Sequence, residues 1–236
     1  MANNDGTSVL EDPRTIAERT FELLKTDIIS GSLAQGSKII EEDLARKYGI
    51  SRGPLREAIR RLEGIKLVQR IPRAGVRVVR LDQRMMADVY QIREALEGMS
   101  ARLAAQQMSQ EKIDDLWVLL DVHQQGIEEA EGKAYFQREG NLDFHYRIAV
   151  ASGNQWLIHY LYRELYQLFR MCRHQSAQLP ERPAAALDEH RQIVKAIAHR
   201  DGELAEMLMR RHIAGSWQAV QDLLPAASTS PSGGTA

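Results

Sequence analysis

Three of the seven histidines in this 236-residue chain fall on apolar helical faces. His145 shares a face with Asn141, Leu142, Ile148 and Ala149 in the run NLDFHYRIAV. His190 is flanked at helical spacing by Leu187, Ile193, Val194 and Ile197, and His212 follows Leu208 by one turn, with Gly215 and Ser216 one turn further on. A buried polar side chain is costly unless something satisfies it, and imidazole is the commonest metal-binding side chain. Two readings stay open on spacing alone. The three are hydrogen-bonded core residues, or they are ligands projecting into a helix bundle, with Asn141 and His145 at i and i+4 able to share one ion. His123 also lies on a face with Leu116, Leu120 and Ile127, so facing alone does not exclude it.

A second chemistry is concentrated near the start. Residues 43–80 carry eleven Lys/Arg against three acids, a net charge of +8, whereas residues 81–236 carry 16 basic and 21 acidic side chains. A basic block joined to an acidic remainder points to one part that meets a polyanion and another that does not. Arg52 and Arg56 lie one turn apart near the start of a predicted helix, and Arg can pair with guanine O6 and N7 through two hydrogen bonds. Arg46 and Lys47 on the preceding helix suit phosphates. Arg73 and Gly75 occupy a turn, where glycine allows close backbone approach to DNA and Arg73 suits a minor groove.

The elements that position these groups follow from periodicity. TIAERTFELLKTDIISG predicts a helix with Ile16, Thr20, Leu23, Leu24 and Ile28 inward. EEDLARKYGI predicts a short helix stopped by Gly49, and SRGPLREAIRRLEGIKLV a third with Leu55, Ala58, Ile59 and Leu62 as its apolar stripe. Two short helices about a glycine turn are the helix-turn-helix layout. Val68 to Ile71 and Val76 to Val79 then read as strands around PRAG, a β-hairpin wing. Beyond Leu81 only helices are predicted, at about 82–107, 110–130, 133–151, 154–178, 184–200 and 203–223. The expected fold is therefore mainly α: a winged helix-turn-helix of three helices and a hairpin over 12–80, an all-α bundle of six or seven helices over 82–224, and a disordered tail over 225–236. The single Cys172 excludes an internal disulfide and fits a reducing cytoplasm. The polar start lacks a secretory signal, and no apolar run is long enough to span a bilayer.

EEDLARKYGISRGPLREAIRRLEGIKLV followed by PRAGVRV resembles the N-terminal domain of GntR-type transcription regulators. VYQIREALEGMSARLAA, NLDFHYRIAVASGN, DEHRQIVKAIAHRD and MRRHI look like successive signatures of the FCD effector domain in the FadR-type branch, so the resemblance covers nearly residues 15–224. It implies that Arg52 and Arg56 are the main readers of an inverted-repeat operator in double-stranded DNA. Arg46 and the wing residues Arg73 and Gly75 would assist, in a cytoplasmic homodimer, most often a repressor. Some members carry a DNA-contacting Arg where this chain has Glu41 and Glu42.

The resemblance also implies a divalent metal in the bundle, held at the positions of Asn141, His145, His190 and His212. Asn141 departs from the family's aspartate and is a neutral, weaker ligand. Three imidazoles suit Zn²⁺ or Ni²⁺, with Mn²⁺ or Fe²⁺ served if water and an acid ligand complete an octahedron. Arg93 matches an inward Arg that relatives use to hold an effector carboxylate. On the fourth bundle helix Arg163, Gln167, Arg170 and His174 form a polar stripe. It faces solvent or lines the cavity, and in the second case Arg170 is a further carboxylate clamp. Metal and Arg together select a small hydroxy-, di- or tricarboxylic acid, the propionate/2-methylcitrate type of regulator being one precedent. Two alternatives are a metalloregulator, in which metal itself is the signal, and a metal-dependent hydrolase or lyase fused to a DNA-binding domain. The second lacks an evident base or nucleophile in the matched segments.

Overall fold

The computed structural model describes residues 14–133, 135, 143–177, 179 and 181–221. Asn141 and the tail 225–236 lie outside the described residues. The chain divides into two compact units, one formed by residues up to Gly64 with Val68–Val78, the other by Ile65–Leu67 with residues from Val79 onward.

The first unit opens with α1 (Ile16–Ile29), started by a capping box in which Thr15 and Glu18 each satisfy the other's backbone N–H. Its buried side is Thr20, Phe21, Leu24, Lys25, Ile28 and Ile29. Ile16 and Leu23, expected inward, are half exposed, so the stripe is rotated by about one residue from the predicted one. α2 (Glu41–Tyr48) ends at Gly49, whose φ of 64° is the left-handed conformation a helix stop requires. α3 (Arg52–Gly64) buries Leu55, Ala58, Ile59 and Leu62, the predicted stripe. β1 (Val68–Ile71) pairs antiparallel with β2 (Gly75–Val78), with Val68 opposite Val78 and Ile71 opposite Gly75. The turn between them uses positive φ at Arg73 (63°) and Gly75 (86°), which is why glycine suits the second position. One element escaped the sequence reading. Residues 36–39 run along β2, with the Ile39 N–H donating to Val76 O at 2.8 Å and the Val78 N–H to Ser37 O at 3.0 Å. This SLAQGSKI stretch has too few alternating apolar residues to announce a strand.

The second unit contains α4 (Gln83–Gln107), α5 (Gln110–Glu129), α6 (Phe144–Ala151), α7 (Gln155–His159), α8 (Tyr166–Ser176), α9 (Arg182–Ala198) and α10 (Gly202–Gln221), seven helices among the described residues. Asp82, Ser109 and Asn154 cap α4, α5 and α7 through their side chains, and Pro183 stands in the first turn of α9. α4 packs most extensively on α10 and also meets α6 and α9, while α5 packs on α9. The core between them includes Met86, Val89, Ala101, Ile113, Leu116, Phe144, Ile193, Ile197 and Met209.

Two predicted helices differ from those observed. The one expected over 133–151 begins only at Phe144. Asp143 is extended (φ −101°, ψ 116°) and accepts from the backbone N–H groups of His145 (3.0 Å) and Tyr146 (3.2 Å) as its N-cap. Asn141, the expected metal ligand, lies outside the described residues. The helix expected over 154–178 is broken by a π-helical segment, Tyr160–Glu164. The wider turn carries more than 3.6 residues and shifts the phase of everything beyond it.

Candidate metal and effector site

α6, α9 and α10 each deliver one histidine to a common point inside the bundle. His145, His190 and His212 are 3 %, 1 % and 4 % exposed, and one nitrogen of each lies within 4.8 Å of those of the other two. The Nε2 atoms of His190 and His212 are 3.3 Å apart. Phe144 stacks on the His190 ring at a centroid distance of 4.0 Å and fixes its plane.

The opposite nitrogen of each ring is held by a different neighbour. Glu189 Oε2 lies 2.6 Å from His212 Nδ1, and Arg182 grips the same carboxylate with two hydrogen bonds of 2.8 Å. The Tyr135 hydroxyl bridges His190 Nδ1 (3.0 Å) and His123 Nδ1 (2.8 Å). Glu97 Oε2 stands 2.5 Å from His145 Nδ1, off the axis of a hydrogen bond, so neither atom has a hydrogen-bonded partner among the described residues. The Nδ1 side of each ring thus faces a neighbouring side chain, and the Nε2 atoms of His190 and His212 face each other. A carboxylate behind a ligating imidazole is the arrangement that fixes its tautomer and raises its basicity. His123 is thereby a partner of Tyr135 rather than a fourth member of the cluster.

The protonation states agree with this use. Burial, then the neighbouring histidines, push His190 well below the usual imidazole range. Burial also lowers His212, to about 4, against a smaller upward pull from Glu189. Both are neutral near pH 7 and present lone pairs rather than protons. Burial would raise Glu97, but Arg93 and His145 outweigh it and keep the carboxyl ionised. Glu189 is likewise held low by His212 and Arg182. The donor set thus fits a divalent ion: three buried imidazoles that converge within reach of one another, with carboxylates immediately behind two of them.

The triad opens on a cavity of about 40 Å³ that is also lined by Arg93, Arg173 and Arg182. Arg93 is 1 % exposed and its Nε donates to Glu97 Oε1 at 2.8 Å. Its Nη1, and Nε of Arg182, are buried with no hydrogen-bond partner among the described residues. Arg170, expected as a second clamp, is not among the lining residues. Its Nη1 donates to Gln167 at 3.4 Å, and Arg173, three residues further along α8, lines the cavity instead. Arg173 pairs with Asp143 at 2.9 Å. That bond and the N-cap occupy Asp143 Oδ1, and the Tyr166 hydroxyl donates to Oδ2 at 3.3 Å, so both oxygens of this acid are already bonded.

In the first unit Arg46, Arg52, Arg56 and Arg73 are all exposed, as a surface that meets DNA requires. Arg52 and Arg56 are exposed side chains in the first turns of α3, at the edge of its buried stripe, and Arg73 is at the hairpin tip near Gly75. Glu97, Glu189, Tyr135, Arg173 and Arg182 were not singled out in the sequence. Arg93 and Glu97 carry an i, i+4 signal that was available; the others meet the histidines only through tertiary packing.

Comparison with known proteins gives the same division. Residues 16–78 match the bacterial regulatory proteins of the gntR family and residues 88–215 the FCD domain. The chain is 27% identical over 210 residues to the "Probable D-xylose utilization operon transcriptional repressor" of Paenarthrobacter nicotinovorans, covering 89% of this chain and 91% of that one. It is 30% identical over 213 residues to the HTH-type transcriptional regulator BphR of Paraburkholderia xenovorans, covering 88% and 86%. Escherichia coli McbR/YncC superposes with a TM-score of 0.64 at 22% identity, over 87% of this chain and 98% of that one. The two curated relatives are named as regulators of transcription. With a helix-turn-helix unit and a helical unit that match in this order over most of the chain, the protein belongs to the GntR family of transcription regulators, in the group that carries an FCD domain.

Proposed function

We propose that this regulator senses a small carboxylic acid at an ion held by His145, His190 and His212, and that the acid changes how a homodimer grips an inverted-repeat operator. The observation that carries the reading is one cavity lined both by the three imidazoles and by Arg93 and Arg182, each with a guanidinium atom (Nη1 and Nε) that is buried without a hydrogen-bond partner among the described residues. Imidazoles alone suit Zn²⁺ or Ni²⁺ best, with Mn²⁺ or Fe²⁺ the alternatives, and Asn141 is the proposed fourth protein ligand. A bound ion supplies positive charge and open coordination positions. Arg93, Arg173 and Arg182 are each already matched by Glu97, Asp143 and Glu189, so among the described residues lining the cavity no carboxylate is left over to offset the ion. Burying such an excess is costly, and an acid that brings carboxylates removes it. The cavity is small, which suits a compact acid. Arg93 and Arg182 are the proposed carboxylate donors.

At the DNA, Arg52 and Arg56 are the proposed base readers, Arg46 a phosphate contact, and Arg73 with Gly75 the minor-groove contact. We assign the protein as a cytoplasmic repressor released by its acid. The assignment is supported by the repressor named among its relatives. Among the described residues no helix is long and apolar enough to cross a membrane.

The test is fluorescence anisotropy of the metal-loaded protein on an operator selected from random duplexes, with small mono- and dicarboxylates added in turn. One acid or a narrow group of them is expected to weaken operator binding. A response to metal alone, with no acid effective, would establish the metalloregulator reading instead. In the same assay Arg56→Ala is expected to lose about 1–3 kcal/mol of discrimination per half-site, with unaltered acid binding. An unchanged ratio of operator to random-duplex affinity would remove Arg56 from base reading.

A further inference from the structure

Glu41 is an acid on the surface proposed to meet DNA. It is the first residue of α2, and its Oε2 accepts from Arg56 Nε across the helix-turn-helix at 2.7 Å. The two side chains are 37 % and 59 % exposed. Its neighbours behave differently: Glu42 and Asp43 approach only Arg46, at 3.8 and 3.9 Å. An exposed ion pair adds at most about 1 kcal/mol to stability, and an acid close to phosphates opposes binding. Stability and affinity therefore give Glu41 little purpose, whereas the geometry of the pair gives it one. A guanidinium presents five N–H groups in a rigid fork. A carboxylate on Nε leaves the Nη1 and Nη2 edge exposed, and among the described residues no other partner occupies it. That edge matches guanine O6 and N7.

We propose that Glu41 is a specificity-determining residue: it fixes Arg56 so that the Nη edge meets a guanine, and its charge penalises complexes in which Arg56 would turn to a phosphate. The proposal rests on Arg56 as a base reader. Acids in the first turn also favour a helix through its dipole, a benefit Glu42 shares, so Glu42→Ala is the matched control.

Full-length wild type, Glu41→Ala, Glu42→Ala, Arg56→Ala and Glu41→Ala/Arg56→Ala are compared by anisotropy on the selected operator and on a scrambled duplex of equal length. Glu41→Ala is expected to bind the scrambled duplex as tightly as wild type or more tightly. Its operator-to-scrambled ratio should fall about fivefold or more, the lower end of what a bidentate guanine contact discriminates. Glu42→Ala should shift both affinities together, and Glu41→Ala should have no further effect on the ratio once Arg56 is gone. A wild-type ratio in Glu41→Ala, or a shift identical to that of Glu42→Ala, overturns the role of Glu41. A wild-type ratio in Arg56→Ala overturns the base-reader assignment itself, and the two failures are distinguished by which variant shows them. If Glu41→Ala melts below the other variants, Glu41→Gln, which keeps the size and removes the charge, must show the lowered ratio for the proposal to stand.

Discussion

Replacing His190 by alanine is expected to lower affinity for Zn²⁺ or Ni²⁺ by more than about a hundredfold, because it removes one of three ligands rather than a partner behind one, whose loss costs about 10–100-fold. The comparison variant is Glu189→Gln. Glu189 touches His212 Nδ1 at 2.6 Å and not the convergence point, so its effect should fall within that smaller range. The two variants thus separate holding the ion from tuning the residue that holds it. Competition against a chelating indicator at fixed pH measures both. Phe144 loses its stacking partner in His190→Ala, so the melting temperature of the metal-free variant must be followed as well. Full occupancy in a folded His190→Ala protein would take His190 out of the site.

The second large effect concerns Arg93. Were it an exposed clamp, Arg93→Ala would weaken acid binding and little else. It is 1 % exposed and bonded to a Glu97 that is 4 % exposed. Removing one partner of such a pair strands the other charge in the core, at a cost of about 3–5 kcal/mol. Arg93→Ala is therefore expected to melt well below wild type and to lose operator and acid binding together. Arg93→Met combined with Glu97→Gln removes both charges and should recover most of the stability, while acid binding stays low because the cavity has lost a guanidinium. Thermal unfolding of the single and double variants checks this. An Arg93→Ala protein as stable as wild type would mean that the pair is not buried in solution.

Much of this site could be read from residue spacing, and the limits have physical causes. The α3 stripe and the starts of α4, α5 and α7 rest on local signals, and they lie where expected. The inward placing of His145, His190 and His212 followed from their apolar neighbours. The start of α6 did not, because helical spacing continues in the letters above Phe144 while Asp143, as N-cap, ends the helix in space. The stripe of Arg170 could not be resolved for a related reason: spacing alone left it facing either solvent or cavity, and only packing puts Arg173 at the cavity wall. Glu189 is adjacent to His190 in sequence, yet it serves His212 on another helix. No periodicity within α9 contains that fact, which is a product of α9 packing on α10.

The claim at the centre of this account is that the histidine cluster and the arginines form one receptor. Isothermal calorimetry of small carboxylic acids, with protein stripped of metal and then reloaded with one equivalent, tests it most directly. At least one acid should bind with one site per chain to the loaded protein, lose that binding on stripping and regain it on reloading. Equal binding of that acid to the stripped and loaded forms would contradict the account, since the cavity would then recognise the acid through its arginines alone.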